Sequence, residues 1–443
     1  IKKETIPIMS TVGVISLGCA KNQVDTERML GILTAAGYEI TNQPSEAEIL
    51  IVNTCGFIES AKQESINAIL EMAHYKQGGK CTRLVVTGCL SERYRDELKE
   101  AMPEIDLLLG VREYETLPRL LGGKTDAPHC GPKSARVLTT PRYSAYLRIA
   151  DGCNNRCTYC AIPLIRGNLV SEPLEELVDE AKRLADNGVS ELTLIAQDTS
   201  GYGMDRYGKP MLGELLTQLE GIDSLRWLRV LYTYPDTVTP ELIDRFRAGG
   251  KIVPYLDMPL QHTEDEMLRR MHRRGDQAHI RQVLDYVAKV APEFMLRTTL
   301  MVGFPGETES QFAAMIRFIQ DHPFDRIGAF AFSPEEGTAA ANLPDQVPEE
   351  IKQERLSRLM SAQQPISRAR NERRVGQVVD VLIEGAKDNG TFGRSYAEAP
   401  DVDGKINLEH AGSLTIGSYV PVRLIRAEEY DMIGELASSD PSN

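Results

Sequence analysis

Residues 153–160 read C-N-N-R-C-T-Y-C, three cysteines spaced CxxxCxxC within one short stretch. Just upstream, residues 146–150 (Y-L-R-I-A) form a strand-like run that Asp151-Gly152 ends. The cysteines therefore lie on a loop leaving the C-terminal end of a strand. Three thiolates on one tight loop match three irons of a four-iron four-sulfur cluster; a fourth cysteine would complete the set, as in an electron carrier. With three, one iron keeps an open position for a small-molecule ligand, as a catalytic metal site does. A zinc site would bring a second close Cys or Cys/His pair, and none follows. A disulfide inside so short a loop is strained.

CxxxCxxC with an aromatic residue, Tyr159, before the last cysteine resembles the signature of the radical S-adenosylmethionine enzymes. That resemblance implies that the open iron is chelated by S-adenosylmethionine. It also implies that an electron from the cluster cleaves the sulfonium to a 5′-deoxyadenosyl radical. The radical chemistry is the cofactor's own, and the protein positions it.

A chain of 443 residues predicts two or three domains. Its 42% apolar and 26% charged residues are those of a globular protein. No apolar run is long enough to span a bilayer, so no membrane association is expected. The opening residues Ile1-Lys2-Lys3-Glu4 lack the apolar core of a signal peptide, and a cytoplasmic location is expected. Eight cysteines in that setting argue for metal binding over disulfides. A net charge of −14 argues against a nucleic-acid backbone as the main partner and fits a basic protein.

Outward from the signature, residues 10–126 alternate strand-like and helical runs, which implies a parallel sheet covered by helices. Strands are expected at 12–17, 49–52 and 84–86, with helices at 22–36 and 59–73. Cys19, Cys55 and Cys89 each follow one of these strands. In an open parallel sheet the C-terminal strand ends share one edge, where ligands bind. From the residues alone, a shared metal site and three small buried residues are equal alternatives. Cys81 reads as incidental on a turn, and Cys130 as incidental in a Gly/Pro-rich linker over 123–142.

Six further strands are expected at 145–149, 191–196, 227–233, 252–258, 296–302 and 326–332, separated by helical patterns. Six βα units predict an open partial barrel with its site at the C-terminal strand ends. Gln197-Asp198-Thr199, Gln261-His262 and Gly303-Phe304-Pro305-Gly306-Glu307 lie on those loops. His262 alone reads as a hydrogen-bonded structural residue, with its place beside a strand end leaving a catalytic role open, and the glycine turn reads either as an ordinary turn or as one that lets backbone approach a nucleoside. A charged helix over 349–374 contains Pro365, where a kink is expected. Short β runs from 375 to about 436 predict a small five-stranded barrel.

Over nearly the whole chain the sequence resembles the methylthiotransferases, radical enzymes with an N-terminal cluster domain and a C-terminal TRAM barrel. The motifs SLGCAKN, NTCGFI and TGCL place Cys19, Cys55 and Cys89 at that family's ligand positions for a second four-iron four-sulfur cluster. The resemblance implies domains at 10–126, 139–370 and 374–439. Leu17–Asn22 with Asp25, Ala196–Thr199, Asp257–His262 and Asp345–Glu350 resemble the branch that modifies an aspartate of small-subunit ribosomal protein twelve. The alternative branch modifies an adenosine of tRNA.

The implied reaction adds a methylthio group to the aspartate β-carbon. That C–H bond is unactivated, so a radical must break it. Implied S-adenosylmethionine contacts are Tyr159, Gln197, Asp198, Arg297, Gly303 and Glu307, with no acid or base assigned. Implied partners are ribosomal protein twelve, free or in the ribosomal particle, and an electron donor such as flavodoxin or ferredoxin. No direct nucleic-acid substrate is expected. Residues 375–443 hold five Lys/Arg and twelve Asp/Glu, so acids such as Asp401, Asp403 and Glu409 are expected to dock a basic surface.

Overall fold

The computed structural model describes residues 10–122, 136–387 and 390–437. Cys130 and much of the expected linker lie outside them. The N-terminal sheet is parallel, in the order β2-β1-β3-β4-β5. Its strands are β1 (Thr11–Ser16), β2 (Glu39–Ile40), β3 (Ile49–Thr54), β4 (Arg83–Gly88) and β5 (Leu107–Leu108). Every residue of the central strand β3 is buried, as expected of a strand covered on both faces. The edge strands are two residues each, too short to leave a pattern in sequence. Helix α1 (Ala20–Ala35) follows β1, and α2 (Glu59–Ala73) follows β3. Cys81, expected as incidental on a turn, is buried just before β4. It packs in the core with Leu50, Ile69 and Leu84.

The central domain carries β6 (Ser144–Arg148), β7 (Ala150–Asp151), β8 (Val170–Ser171), β9 (Glu191–Ile195), β10 (Trp227–Val230), β11 (Tyr255–Asp257), β12 (Met295–Val302) and β13 (Arg326–Ala331). Strands β7 and β8 form a separate antiparallel pair. The other six are parallel, in two groups, β10-β9-β6 and β11-β12-β13, joined by a bridge from Leu228 to Ile252. Among the described residues no pairing joins β6 to β13, so the barrel is open. Two of its strands are shorter than their apolar runs. Pro254 has no N–H to give, and β11 begins after it. Strand β10 ends before Tyr232, whose φ is +63°.

The helix Glu349–Glu372 continues through Pro365 and ties β13 to the C-terminal domain. Arg370 pairs with Asp325, and Arg326 donates to Ser367 and Asn371. The C-terminal domain is a closed barrel of five strands, β14 (Val378–Lys387), β15 (Gly390–Arg394), β16 (Ile406–Leu408), β17 (Tyr419–Ala427) and β18 (Met432–Leu436), ordered β14-β15-β16-β18-β17. Val381, Ile383, Ile406, Val422 and Met432 fill it.

This small barrel is clamped onto the open one by buried charge. Glu191 of the open barrel receives Arg394 of the small one as well as its own neighbour Arg229, and within the small barrel Glu398 receives Arg374. Asp403, expected as a docking acid, belongs to the clamp, and Asp401, though exposed, bonds across the same junction. Tyr146 donates to Asp401 (2.8 Å), Tyr255 donates to Asp403 (2.5 Å), and Arg297 lies 3.6 Å from Asp403. The Asp403 side chain is only 2% exposed. An acidic count over the segment therefore overstates its acidic surface. Glu409 is partly exposed and pairs with Arg426, and Glu428 and Glu435 remain exposed.

Burial would raise Glu191 and Glu398, but Arg394 and Arg374 respectively outweigh it and hold each at about 2 instead of 4.5. Carboxylates lowered in the folded state stabilise it above their ordinary range and lose that contribution as pH falls through the lowered value. The clamp should thus weaken as pH drops from about 4.5 toward about 2. Trp227, the chain's single tryptophan, reports on it, because its ring meets Tyr419 edge-on at 4.7 Å across the junction. Its fluorescence should shift to the red over that window. Emission that stays put while the pH reaches 2 would refute the clamp.

Candidate active site between two cysteine sets

Three adjacent strands, β1, β3 and β4, deliver the N-terminal cysteines. Cys19 caps the start of α1, Cys55 directly follows β3, and Cys89 begins the turn after β4. Parallel order alone brings them to one edge. Two glycines allow the approach. Gly18 has φ +91°, and a Cβ there would stand 2.8 Å from Cys55 Cβ. Gly88 has φ +101°, and a Cβ would stand 2.5 Å from the Thr54 carbonyl. Asn22 knits the edge: its Nδ2 donates to Leu17 and Thr54 carbonyls, and its Oδ1 lies 3.4 Å from Cys89 Sγ. Cys19 is exposed and Cys55 half-buried. Burial pushes the Cys89 thiol up to about 12, against the pull of the nearby Arg166 guanidinium.

The second set lies on the loop after β7. Cys153 N–H bonds the Gly167 carbonyl (3.1 Å), and Cys160 N–H bonds the Cys157 carbonyl (3.0 Å). Thr158 pins the loop through the carbonyls of Met271 and Arg270. Arg273 stands 3.9 Å from Cys157 Sγ, and Tyr234 OH 4.0 Å. Burial raises Cys153, and raises Cys160 to about 12. All three are partly accessible. Among the described residues no three His, Cys, Asp or Glu side chains close on a single metal ion.

The residues expected at S-adenosylmethionine divide into two groups. Gln197 follows β9, donates Nε2 to Asp151 (3.0 Å), and leaves its Oε1 buried without a partner. A buried carbonyl of this kind calls for a donor such as a ligand ammonium. Tyr159 packs with Met267, Met271, Phe304 and Phe332 beside the cluster loop, and burial raises its phenol. The others have protein partners. Asp198 accepts from Asn155, Ser200 and Gly201 and so shapes the loop after β9. Arg297 pairs with Asp257 and Asp403. Glu307 is enclosed by Arg355, His262 and the Gly303 N–H. Gly303 faces Lys352, whose Cγ would meet a Cβ at 2.3 Å. His262 is fully buried and bonds Glu307 and the Glu264 N–H, the structural role its sequence context indicates.

A residue that the sequence does not single out, Arg166, ties the N-terminal cysteine edge to the open barrel. Its Nη2 reaches Asn22 (2.7 Å), Asp25 (2.9 Å) and Cys89 Sγ (3.7 Å). Its Nη1 forks onto both oxygens of Asp151 at 3.1 Å. Arg148 also bonds Asp25. Burial would raise Asp151, yet Arg148 and Arg166 hold its carboxyl well below the usual range. One guanidinium thus connects an N-terminal cysteine to the carboxylate that orients Gln197. An arginine six residues past a cysteine motif carries no local signal of this role.

Comparison with known proteins finds three family models along the chain. Residues 11–110 match the uncharacterised protein family UPF0004, 147–319 the radical SAM superfamily, and 375–437 the TRAM domain. Among solved structures, the fold is similar to the radical S-adenosylmethionine methyltransferase TsrM from Kitasatospora setae. The TM-score is 0.53 at 14% identity, over 75% of this chain and 77% of that one. Curated relatives include the ribosomal protein uS12 methylthiotransferase RimO of Pelotomaculum thermopropionicum, 47% identical over 96% of this chain and 98% of the relative. The same protein of Desulforamulus reducens is 45% identical over 97% and 100%. That of Acetivibrio thermocellus is 44% identical over 96% and 98%. With kinship of this depth along 96–97% of the chain, the protein belongs to the RimO family of ribosomal protein uS12 methylthiotransferases.

Proposed function

We propose that the chain transfers a methylthio group to the β-carbon of an aspartate in ribosomal protein uS12. The observation that carries this reading is the pairing of near-full-length kinship to uS12 methylthiotransferases with two three-cysteine sets, the N-terminal one tied through buried Arg166 to the carboxylate that holds Gln197. Cys153, Cys157 and Cys160 would hold one four-iron four-sulfur cluster, and Cys19, Cys55 and Cys89 the other. When bound, these clusters and S-adenosylmethionine supply a radical able to take hydrogen from an unactivated carbon and a sulfur for it to receive.

The chain's own residues do the positioning. Gln197 Oε1 is free to accept a ligand ammonium, and Asp151 fixes that amide through Nε2. Arg166 holds Asp151 in place and keeps the N-terminal cysteine edge against the open barrel. Tyr159 and its apolar neighbours Met267 and Phe304 keep water from one side of the cluster loop. No helix among the described residues is long and apolar enough to cross a membrane.

The protein partner is uS12, free or in the particle, and an electron donor such as flavodoxin or ferredoxin supplies the reducing equivalents. Exposed acids of the C-terminal barrel, Glu428 and Glu435 among them, suit a Lys/Arg-rich partner. The test is mass spectrometry of small-subunit proteins from cells with and without the enzyme. A methylthio increment on uS12 that appears only with the enzyme is expected. An increment that persists without it, or methylthio-adenosine in tRNA that vanishes instead, would sink the assignment.

A further inference from the structure

Lys21 is the second residue of α1, two positions after Cys19. It is 7% exposed. Among the described residues its ammonium meets a ring: Nζ stands 3.4 Å above the centroid of Tyr232. No hydrogen bond or ion pair reaches it among the described residues. Other buried cations nearby are answered by carboxylates: Arg148 by Asp25, Arg166 by Asp25 and Asp151, and Arg229 and Arg394 by Glu191. A charge taken out of water without an opposite charge is costly, and a ring face returns part of that cost. A fold that pairs its other central cations has left this one open.

The acids that could have served it are engaged. Asp257 accepts from the Tyr232 N–H (2.9 Å) and pairs with Arg297, Asp401 accepts from Tyr146, and Asp403 from Tyr255. Tyr232 itself is held in a conformation that L residues rarely adopt, with φ +63°. Two hydrogen bonds keep it there, one from its N–H to Asp257 and one from the Thr199 N–H to its carbonyl (2.9 Å). Strain maintained this way is characteristic of functional sites. Through Thr199 the ring under Lys21 is tied to the loop that carries Gln197. Lys21 therefore belongs by sequence to the Cys19 edge and by contact to the mouth of the open barrel.

We infer that the Lys21 ammonium is the receptor for the side-chain carboxylate of the substrate aspartate. This rests on the function proposed above. The reacting β-carbon must lie between the two cysteine sets, and the carboxylate carbon is bonded directly to it. An ion pair at Lys21 would therefore fix the reacting carbon within reach of both, with little freedom left to misalign. It would also set the specificity: a carboxylate would be accepted, and the isosteric amide would leave the ammonium buried and unpaired.

The experiment uses the enzyme loaded with both clusters, uS12, and uS12 whose modified aspartate is changed to asparagine. The wild type should modify the aspartate form with kcat/KM about 100-fold or more above the asparagine form. Lys21→Met should lower kcat/KM for the aspartate form by a similar factor, weaken uS12 binding at equilibrium, and bring the two forms within about threefold of each other. Lys21→Arg should recover part of the preference. Iron content tells whether Lys21→Met has kept its clusters. If the wild type accepts both forms equally, or Lys21→Met with full iron still prefers aspartate, the inference is overturned. If Lys21→Met fails to load iron, the wild-type comparison of the two forms decides alone. A wild type that leaves uS12 unmodified overturns the functional reading, and this inference with it; a wild type that modifies uS12 without preference overturns only the inference.

Discussion

Replacing Cys153, Cys157 and Cys160 together by alanine is expected to abolish cleavage of S-adenosylmethionine and remove about half the bound iron. The matching variant at Cys19, Cys55 and Cys89 should also lose about half the iron. It should still cleave S-adenosylmethionine, and it should transfer no methylthio group. The asymmetry follows from the two chain environments. The orphaned Gln197 carbonyl and Tyr159 belong to the barrel domain that carries the CxxxCxxC loop. The N-terminal triad is built on a separate sheet, by three strand ends and two positive-φ glycines. Iron assay and chromatography of the cleaved nucleoside check both variants. An N-terminal variant that retains the other cluster yet cannot cleave S-adenosylmethionine would end this division of labour.

Arg166→Met should have the largest effect of any single substitution away from the cysteines. Methionine approximates the length of the side chain and removes the charge. Asp25 and Asp151, which Arg166 bonds at 2.9 and 3.1 Å, would each lose a partner while remaining largely enclosed. Breaking a buried pair from one side costs about 3–5 kcal/mol, because the remaining charge stays where water cannot reach it. Arg148 still faces both acids and places the loss toward the lower end of that range. The expected result is a lower denaturation midpoint for the loaded enzyme, together with S-adenosylmethionine cleavage no longer matched by methylthio transfer. A double-mutant cycle with Asp25→Asn should show strong coupling, since removing both partners leaves less charge stranded. Additive effects would mean that the guanidinium holds nothing together.

The acid sensitivity of the C-terminal clamp and the Lys21 test complement these two, since neither changes a cysteine. The clamp also bears on substrate docking. Reversing Asp401 or Asp403 would disturb bonds to Tyr146 and Tyr255 inside the open barrel. An effect on uS12 recognition could not then be separated from an effect on folding. Glu428 and Glu435 are the acids on which a docking role can be measured cleanly.

What the sequence determined by itself was everything that depends on neighbours in the chain. Short apolar runs located β1, β3, β4 and the six barrel strands, and the turn after each run placed Cys19, Cys55, Cys89 and the CxxxCxxC loop at strand ends. Because parallel strands point the same way, placement at a strand end already implies a shared edge. The structure alone decided which charges are buried and against what. Arg166 meets Asp25 across 141 residues of chain, and Tyr255 meets Asp403 across 148. Nothing local distinguishes these acids from Glu428 or Glu435, which stay in water. The same holds for Lys21, which lies in a recognisable motif but shows its unpaired state only once α1 is packed against the barrel. Burial of a charge depends on every element that closes over it, so it is written in the tertiary contacts and in no single stretch of sequence.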